Sequence, residues 1–261
     1  MFSVSQLNEI QILVFALILL RMTGFIFSAA IFNSPSISVP VKVLMSVVLT
    51  MLLYNTIATK DVVVRVSQNQ NSLLIFAVME ILIGVSIGFL TRIFFFTVSM
   101  AGELISISMG LGQAQMFNPL VGNMGNAMEQ FLVFLATLLY FALNGHHYLI
   151  HGLTQSFQVI AVGKTSLATD GYASAVYLAK EFFALGIKIA APVLIAMMVV
   201  QVGVGLLSRA VPQINVLTTT SSVTAVLGFI VLFISLPLMV FQMTGLIDIT
   251  MLELFRFIKH I

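Results

Sequence analysis

The stretch Ser99–Gln130, SMAGELISISMGLGQAQMFNPLVGNMGNAMEQ, decides how the rest of the chain is read. It lies between two strongly apolar segments, yet it is neither a membrane span nor an ordinary polar loop. Glycines at Gly102, Gly110, Gly112, Gly122 and Gly125 allow bends or close backbone approach. Asn118 precedes Pro119, which biases it away from helical dihedrals and ends any helix nearby. Met100, Met109, Met116, Met124 and Met128 add soft, adaptable apolar surface. Such backbone persists at bilayer depth only where protein covers it or a water-filled cavity lies beside it. Two readings stay open: a loop projecting into a shared interior, and an irregular connection with no task.

The composition around this stretch sets the class. Of 261 residues, 60% are hydrophobic and 8% charged, against roughly 25% charged in soluble domains. With a mean hydropathy of +1.13 and repeated long apolar runs, the expected fold is all-α, polytopic and membrane-type. A net charge of +2 is too small for a nucleic-acid surface. The absence of cysteine excludes disulfides, thiolate metal sites and cysteine nucleophiles. The opening MFSVSQLNEI lacks a basic region before its apolar run, so no cleaved signal peptide is expected.

Six stretches carry the apolar character. The first, about Ile10 to Phe32, holds Arg21 near its middle. An arginine facing lipid there would cost on the order of 3 kcal/mol, so it should face protein, a partner or water. Prolines at Pro35 and Pro40 break the chain before the run Val41–Ala58, and Thr59–Ser72 reads as a solvated loop. The run Leu73–Met100 carries Glu80, Gly84, Gly88 and Arg92. Gly84 and Gly88 form a small-xxx-small pair that lets a second helix approach. Glu80 and Arg92 stand about 18 Å apart along a helix. Each therefore needs a partner elsewhere, in a structural ion pair rather than a proton relay.

Phe131–Leu143 is short for a full crossing, and Ala175–Ala210 is long, with Lys180, Glu181, Lys188 and a possible kink at Pro192. Arg209 closes it. Thr218–Ser222 reads as a polar hinge before the last run, Val223–Ile247, and Asp248–Ile261 as an amphipathic tail lying along an interface. Charges inside the runs suggest helices packed mainly against protein. Arg21, Glu80, Arg92, Glu103, Lys188 and Arg209 are the candidates for pairing between helices or subunits.

No catalytic constellation is present: there is no GxSxG, P-loop or HExxH, and Asp61, Asp170 and Asp248 all lie in polar segments. The chain is not expected to be an enzyme or to carry a cofactor. His147 and His151 have a metal-ligand spacing, but without a nearby carboxylate they read as a helix-end cluster, and no metal is expected.

Several short motifs together resemble the FliR/type III secretion export-gate family. Arg21-x-x-Gly24 and Val39–Pro40–Val41–Lys42 look like its opening. Gly88–Phe89 with Arg92, then Ala101–Gly102 and Gly110, continue the match. Asn144–Gly145–His146–His147 with Ser156–Phe157 is similar to its NGHH…SF segment. Ala191–Pro192 and Arg209–Val216, with Pro212, Gln213 and Asn215, resemble its AP and RAxPQxNVF signatures. The chain departs from the family pattern at Leu217 and Thr220–Ser221–Ser222, where relatives read Phe and then Gly-Phe-Pro.

The resemblance implies a non-enzymatic core subunit of the flagellar protein-export gate in the bacterial inner membrane, within the basal body. FliP-like and FliQ-like subunits would be its partners, FlhA- and FlhB-like components its neighbours, and unfolded flagellar subunits its cargo. It implies a FliP-like part over 1–174 and a FliQ-like hairpin over 175–261. It also places the family's pore plug at about Gly110–Pro119, so that Met109, Gly110, Leu111, Gly112, Gln113, Met116, Phe117, Asn118 and Pro119 would close a methionine-sealed pore. An equivalent subunit of a virulence injectisome is the nearest alternative. A stand-alone secondary transporter or channel is the more distant one, and it would need an internal repeat that the halves do not display.

Overall fold

The computed structural model describes residues 4–32, 37–68, 70–111, 127–163, 171–210 and 216–260. They form helices and no strands: α1 (Val4–Ser28), α2 (Val39–Ile57), α3 (Lys60–Gln68), α4 (Leu73–Ser108), α5 (Ala127–Ala142), α6 (Gly145–Val159), α7 (Gly171–Ala210) and α8 (Val216–His260). Segments of five helices are long and apolar enough to cross a bilayer: Glu9–Ser28, Val39–Ile57, Leu73–Ser108, Lys180–Leu206 and Val223–Ile258. Counting α5 and α6 as one broken span makes a sixth. The fold is an all-α, polytopic membrane-type fold, as the composition predicts.

Two compact units divide the chain. The first gathers 1–93, 145–177 and 250–261, and the second 94–144 and 178–249.

In the first unit, α1 and α4 meet backbone to backbone. A Cβ on Gly24 would stand 2.8 Å from the Ile81 carbonyl oxygen, and one on Gly84 would fall inside the shell of the Arg21 carbonyl. The small pair read from Gly84 and Gly88 is thus the seat of α1. Helix α2 packs against α1 with its polarity inverted. Lys42, Ser46 and Thr50, one turn apart, are buried, while Val39, Leu44, Met51 and Leu52 are exposed. Ser46 and Thr50 satisfy their hydroxyls on the carbonyls of Lys42 and Ser46, at 2.9 and 2.7 Å. Pro40 sits in the first turn of α2, where its missing N–H costs nothing. An outer face this apolar requires a surrounding less polar than water.

Four expectations are corrected. Thr59–Ser72 is not a solvated loop: it contains α3 and a short 3-10 turn at Gln70–Ser72. Its polar composition conceals an i, i+4 pair, Val62 and Val66, whose burial holds the helix. The first ten residues of Ser99–Gln130 continue α4, because Ala101, Ile105 and Met109 extend the buried stripe of Phe94 and Val98. Thr218–Ser222 lies within α8 rather than at a hinge. The tail also belongs to α8, and its apolar side packs against α6: Leu254 and Ile258 are buried, and a Cβ on Gly152 would stand 2.9 Å from Leu254 Cδ2.

Candidate functional site

Two arrangements stand out from simple apolar packing, one in each unit. The first is built on Arg21, which is 0% exposed although it sits in the middle of an apolar helix. Its Nε donates to Glu80 Oε2 at 2.5 Å, one terminal nitrogen to Ser156 Oγ at 3.3 Å, and the other to the Ile160 carbonyl at 3.0 Å. The guanidinium also lies over the Phe157 ring, 4.1 Å from its centroid. Glu80 Oε1 accepts from the Gly163 amide at 3.3 Å. The turn presents that amide through a left-handed glycine, φ +81°.

Each nitrogen of the guanidinium therefore has an acceptor, as a buried cation requires. The group ties α1 to α4 and to the C-terminal end of α6. What the bonds describe is a latch between the helices. Arg21 and Ser156–Phe157 come from motifs far apart in the chain and meet here. Sequence reasoning separated Glu80 from Arg92 by distance but left both without named partners; it missed Ile160 and Gly163, which contribute backbone groups and leave no side-chain signal.

The second arrangement is the end of α4, where the central stretch leaves the helix. Leu111 N–H bonds to the Ser106 carbonyl at 3.1 Å and Gly110 N–H to that of Ile107 at 3.0 Å. With Gly110 at φ +76°, this is the hydrogen-bond pair that closes a helix on a left-handed glycine. Met109, just before it, is fully buried. Its side chain fills a notch over Gly228 of α8, where an added Cβ would stand 2.6 Å from Met109 Cγ and 2.8 Å from Cε. Gln201 of α7 donates to the free Ser108 carbonyl at 2.9 Å. On the far side of the stretch, Ser99 Oγ donates to the Glu129 carboxylate, and Gly102 lets α5 approach to where a Cβ would stand 2.6 Å from Glu129 Cα. Leu111 on one side and Glu129 on the other are thereby both held to α4.

The remaining residues singled out from sequence fall as follows. Leu111 is half-buried; Gly112, Gln113, Met116, Phe117, Asn118 and Pro119 lie outside the described residues, as do Pro212, Gln213 and Asn215. Arg92, Glu103 and Lys188 are exposed and form no ion pair among the described residues. Arg209 belongs to α7, with its side chain outside the description. Lys42 is buried, its Nζ 5.9 Å from the Phe27 ring centroid. Asn144, at φ 57°, ends α5 in the left-handed conformation that asparagine tolerates best after glycine. Gly145 opens α6, where the His146 and His147 ring centroids lie 4.2 Å apart with the rings tilted 45°, and the His151 ring meets Phe255 at 5.9 Å. Pro192 lies inside α7.

Comparison with known proteins agrees with these motifs. Residues 12–249 match the family described as bacterial export proteins, family 1. The chain is 32% identical over 172 residues to the flagellar biosynthetic protein FliR of Aquifex aeolicus, covering 66% of each. It is 28% identical over 229 residues to the FliR of Caulobacter vibrioides, covering 87% of this chain and 89% of the relative. Against the FliR of Escherichia coli it is 27% identical over 220 residues, covering 84% and 83%. With its motifs in order and this match across most of its length, the chain belongs to bacterial export proteins family 1, the family of FliR.

Proposed function

We propose that the chain is a non-enzymatic core subunit of the flagellar type III export gate in the bacterial inner membrane, forming part of the pore for unfolded flagellar subunits. FliP-like and FliQ-like subunits complete the gate, and FlhA- and FlhB-like components adjoin it. Residues 1–174 form the FliP-like part and 175–261 the FliQ-like hairpin. The stretch Gly110–Pro119 plugs the closed pore. Met116 and Phe117 seal it by soft apolar contact, which fits chains of different sequence. Arg92, Glu103 and Lys188, exposed on otherwise apolar helices, pair with neighbouring subunits, because lipid would not accept them.

The observation that supports this reading is the end of α4, where helix-end hydrogen bonds, Met109 and Gln201 hold the chain in place as far as Leu111. Relatives named for flagellar biosynthesis favour the flagellar over the injectisome version, and motility of a strain lacking the chain separates the two. The plug is tested by deleting Gly110–Pro119: the assembled gate becomes leaky to ions. A deletion complex that assembles and stays as tight as wild type overturns it.

A further inference from the structure

We infer that the outer face of α6, formed by His147, His151, Thr154, Gln155 and Gln158, is a water-facing wall along which an extended polypeptide passes. The inference rests on the proposal that unfolded subunits are the cargo, and it names a surface that they meet. The sequence of α6, GHHYLIHGLTQSFQV, holds no carboxylate, lysine or arginine. Its five outer residues stand at i, i+4, i+7, i+8 and i+11 from His147, so they share one side of the helix over roughly 16 Å. His147, His151 and Gln158 are exposed, and Thr154 and Gln155 half-buried. The opposite side is fixed inward. Leu149, Gly152, Leu153, Ser156 and Phe157 are buried; Arg21 holds that side through Ser156 Oγ and the Phe157 ring, and Leu254 fills the space over Gly152.

What covers the stripe follows from its chemistry. Thr154 returns its hydroxyl to the His151 carbonyl at 2.8 Å, but the side-chain amides of Gln155 and Gln158 have no hydrogen-bond partner among the described residues. Lipid, or an apolar subunit surface, would leave them unsatisfied, whereas water satisfies them. The neighbouring end of α8 continues the hydrophilic surface: Arg256 donates to Glu253 at 2.6 Å with its side chain 69% exposed, and Phe255 meets the His151 ring. Helix α2, in the same unit, shows the contrary surface, with Val41, Leu44, Met51 and Leu52 exposed. Amide, hydroxyl and imidazole groups both donate and accept, so they can meet a passing backbone whatever its sequence. A charged stripe would instead hold segments of opposite sign, and passage requires contacts weak enough to leave.

The chain has no cysteine, so single cysteines report each position in the full chain within the assembled gate. His151→Cys, Gln155→Cys and Gln158→Cys replace outward side chains and leave the Arg21 latch intact. Leu44→Cys, on the apolar face of α2, and Leu153→Cys, on the inner side of α6, are the comparisons. A membrane-impermeant sulfonated maleimide, applied to the complex in lipid, is expected to label the three stripe positions more than about tenfold faster than either comparison, because the reactive thiolate forms in water. Labelling no faster than at Leu44→Cys sets the stripe against lipid or another subunit and overturns the inference.

Passage has its own readout. An export substrate fused to a domain that resists unfolding stalls in the gate, and cysteines spread along its unfolded segment are oxidised against those of the stripe. Disulfide adducts are expected at His151→Cys and Gln155→Cys, from several positions of the cargo, and none at Leu44→Cys. Stalled cargo that stays bound to the complex without stripe adducts overturns the wall and leaves the export reading in place. Cargo that never joins the complex overturns the export reading, and the passage with it.

Discussion

Replacing Glu80 with alanine tests the latch where its energetics are sharpest. Glu80 is 1% exposed and Arg21 0%, so the variant leaves a guanidinium without its counter-charge inside the unit. Removing one partner of a buried pair costs about 3–5 kcal/mol. Two features act on that range in opposite directions. Arg21 keeps Ser156, the Ile160 carbonyl and the Phe157 ring, which lowers the loss. The Gly163 amide loses its acceptor, which adds about 1–3 kcal/mol where burial keeps water out. The expected net loss is about 4 kcal/mol, a large part of the total for any domain.

The assay is thermal or denaturant unfolding of the purified complex in detergent, beside its yield. Glu80→Ala should lower both before export energetics change. Adding Arg21→Met should recover much of the loss, since a buried pair replaced on both sides by apolar groups is often tolerated. A Glu80→Ala complex that accumulates and unfolds like wild type refutes the latch. So does normal assembly with a selective loss of proton-coupled export, because that would make Glu80 a proton carrier.

Three smaller perturbations follow from the same geometry. Gly84→Ala places a Cβ against the Arg21 backbone carbonyl, which cannot swing aside; a loss of about 3 kcal/mol or more is expected in the same unfolding assay. Ser156→Ala removes the 3.3 Å bond from Arg21 and the hydroxyl's own 2.7 Å bond to the Leu153 carbonyl, within the same helix; it should cost about 1 kcal/mol, leaving assembly intact. Leu254→Ala empties a fully buried position where the end of α8 meets α6; a loss of about 2–5 kcal/mol with earlier proteolysis of the C-terminal segment is expected, whereas an interfacial tail would show neither.

Much of the fold was legible because its signals are long. Runs such as Leu73–Met100 announce helices, and Gly84 and Gly88 announce the close crossing that α1 makes. What was not legible is short or depends on context. Helix α3 rests on only two buried valines, in a segment whose composition is polar. The hydroxyl run Thr218–Ser222 was read by local propensity, yet in an apolar surrounding a helix is the form that satisfies its own backbone. The tail was read correctly as amphipathic, but its partner, the α6 face at Gly152, is about a hundred positions earlier in sequence.

The candidate site divides in the same way. Arg21 was marked by the cost of a charge in an apolar run, and Ser156–Phe157 by the resemblance; that they touch is a tertiary fact. Gly110 reads as a source of bending freedom until its hydrogen bonds show it closing α4. Met109 is fully buried with Gly228 beneath it, a contact that the sequence does not announce. No periodicity links those two residues, since each satisfies a volume that the other leaves.

The central claim is that this chain is one part of a gateway assembled from several polypeptides, its exposed apolar helices meeting neighbouring subunits. Gentle purification from membranes, with identification of every protein that stays bound, tests this most directly. The account predicts recovery in a stable complex with FliP-like and FliQ-like subunits. Recovery as a self-sufficient monomer that moves a small solute when reconstituted alone would contradict it.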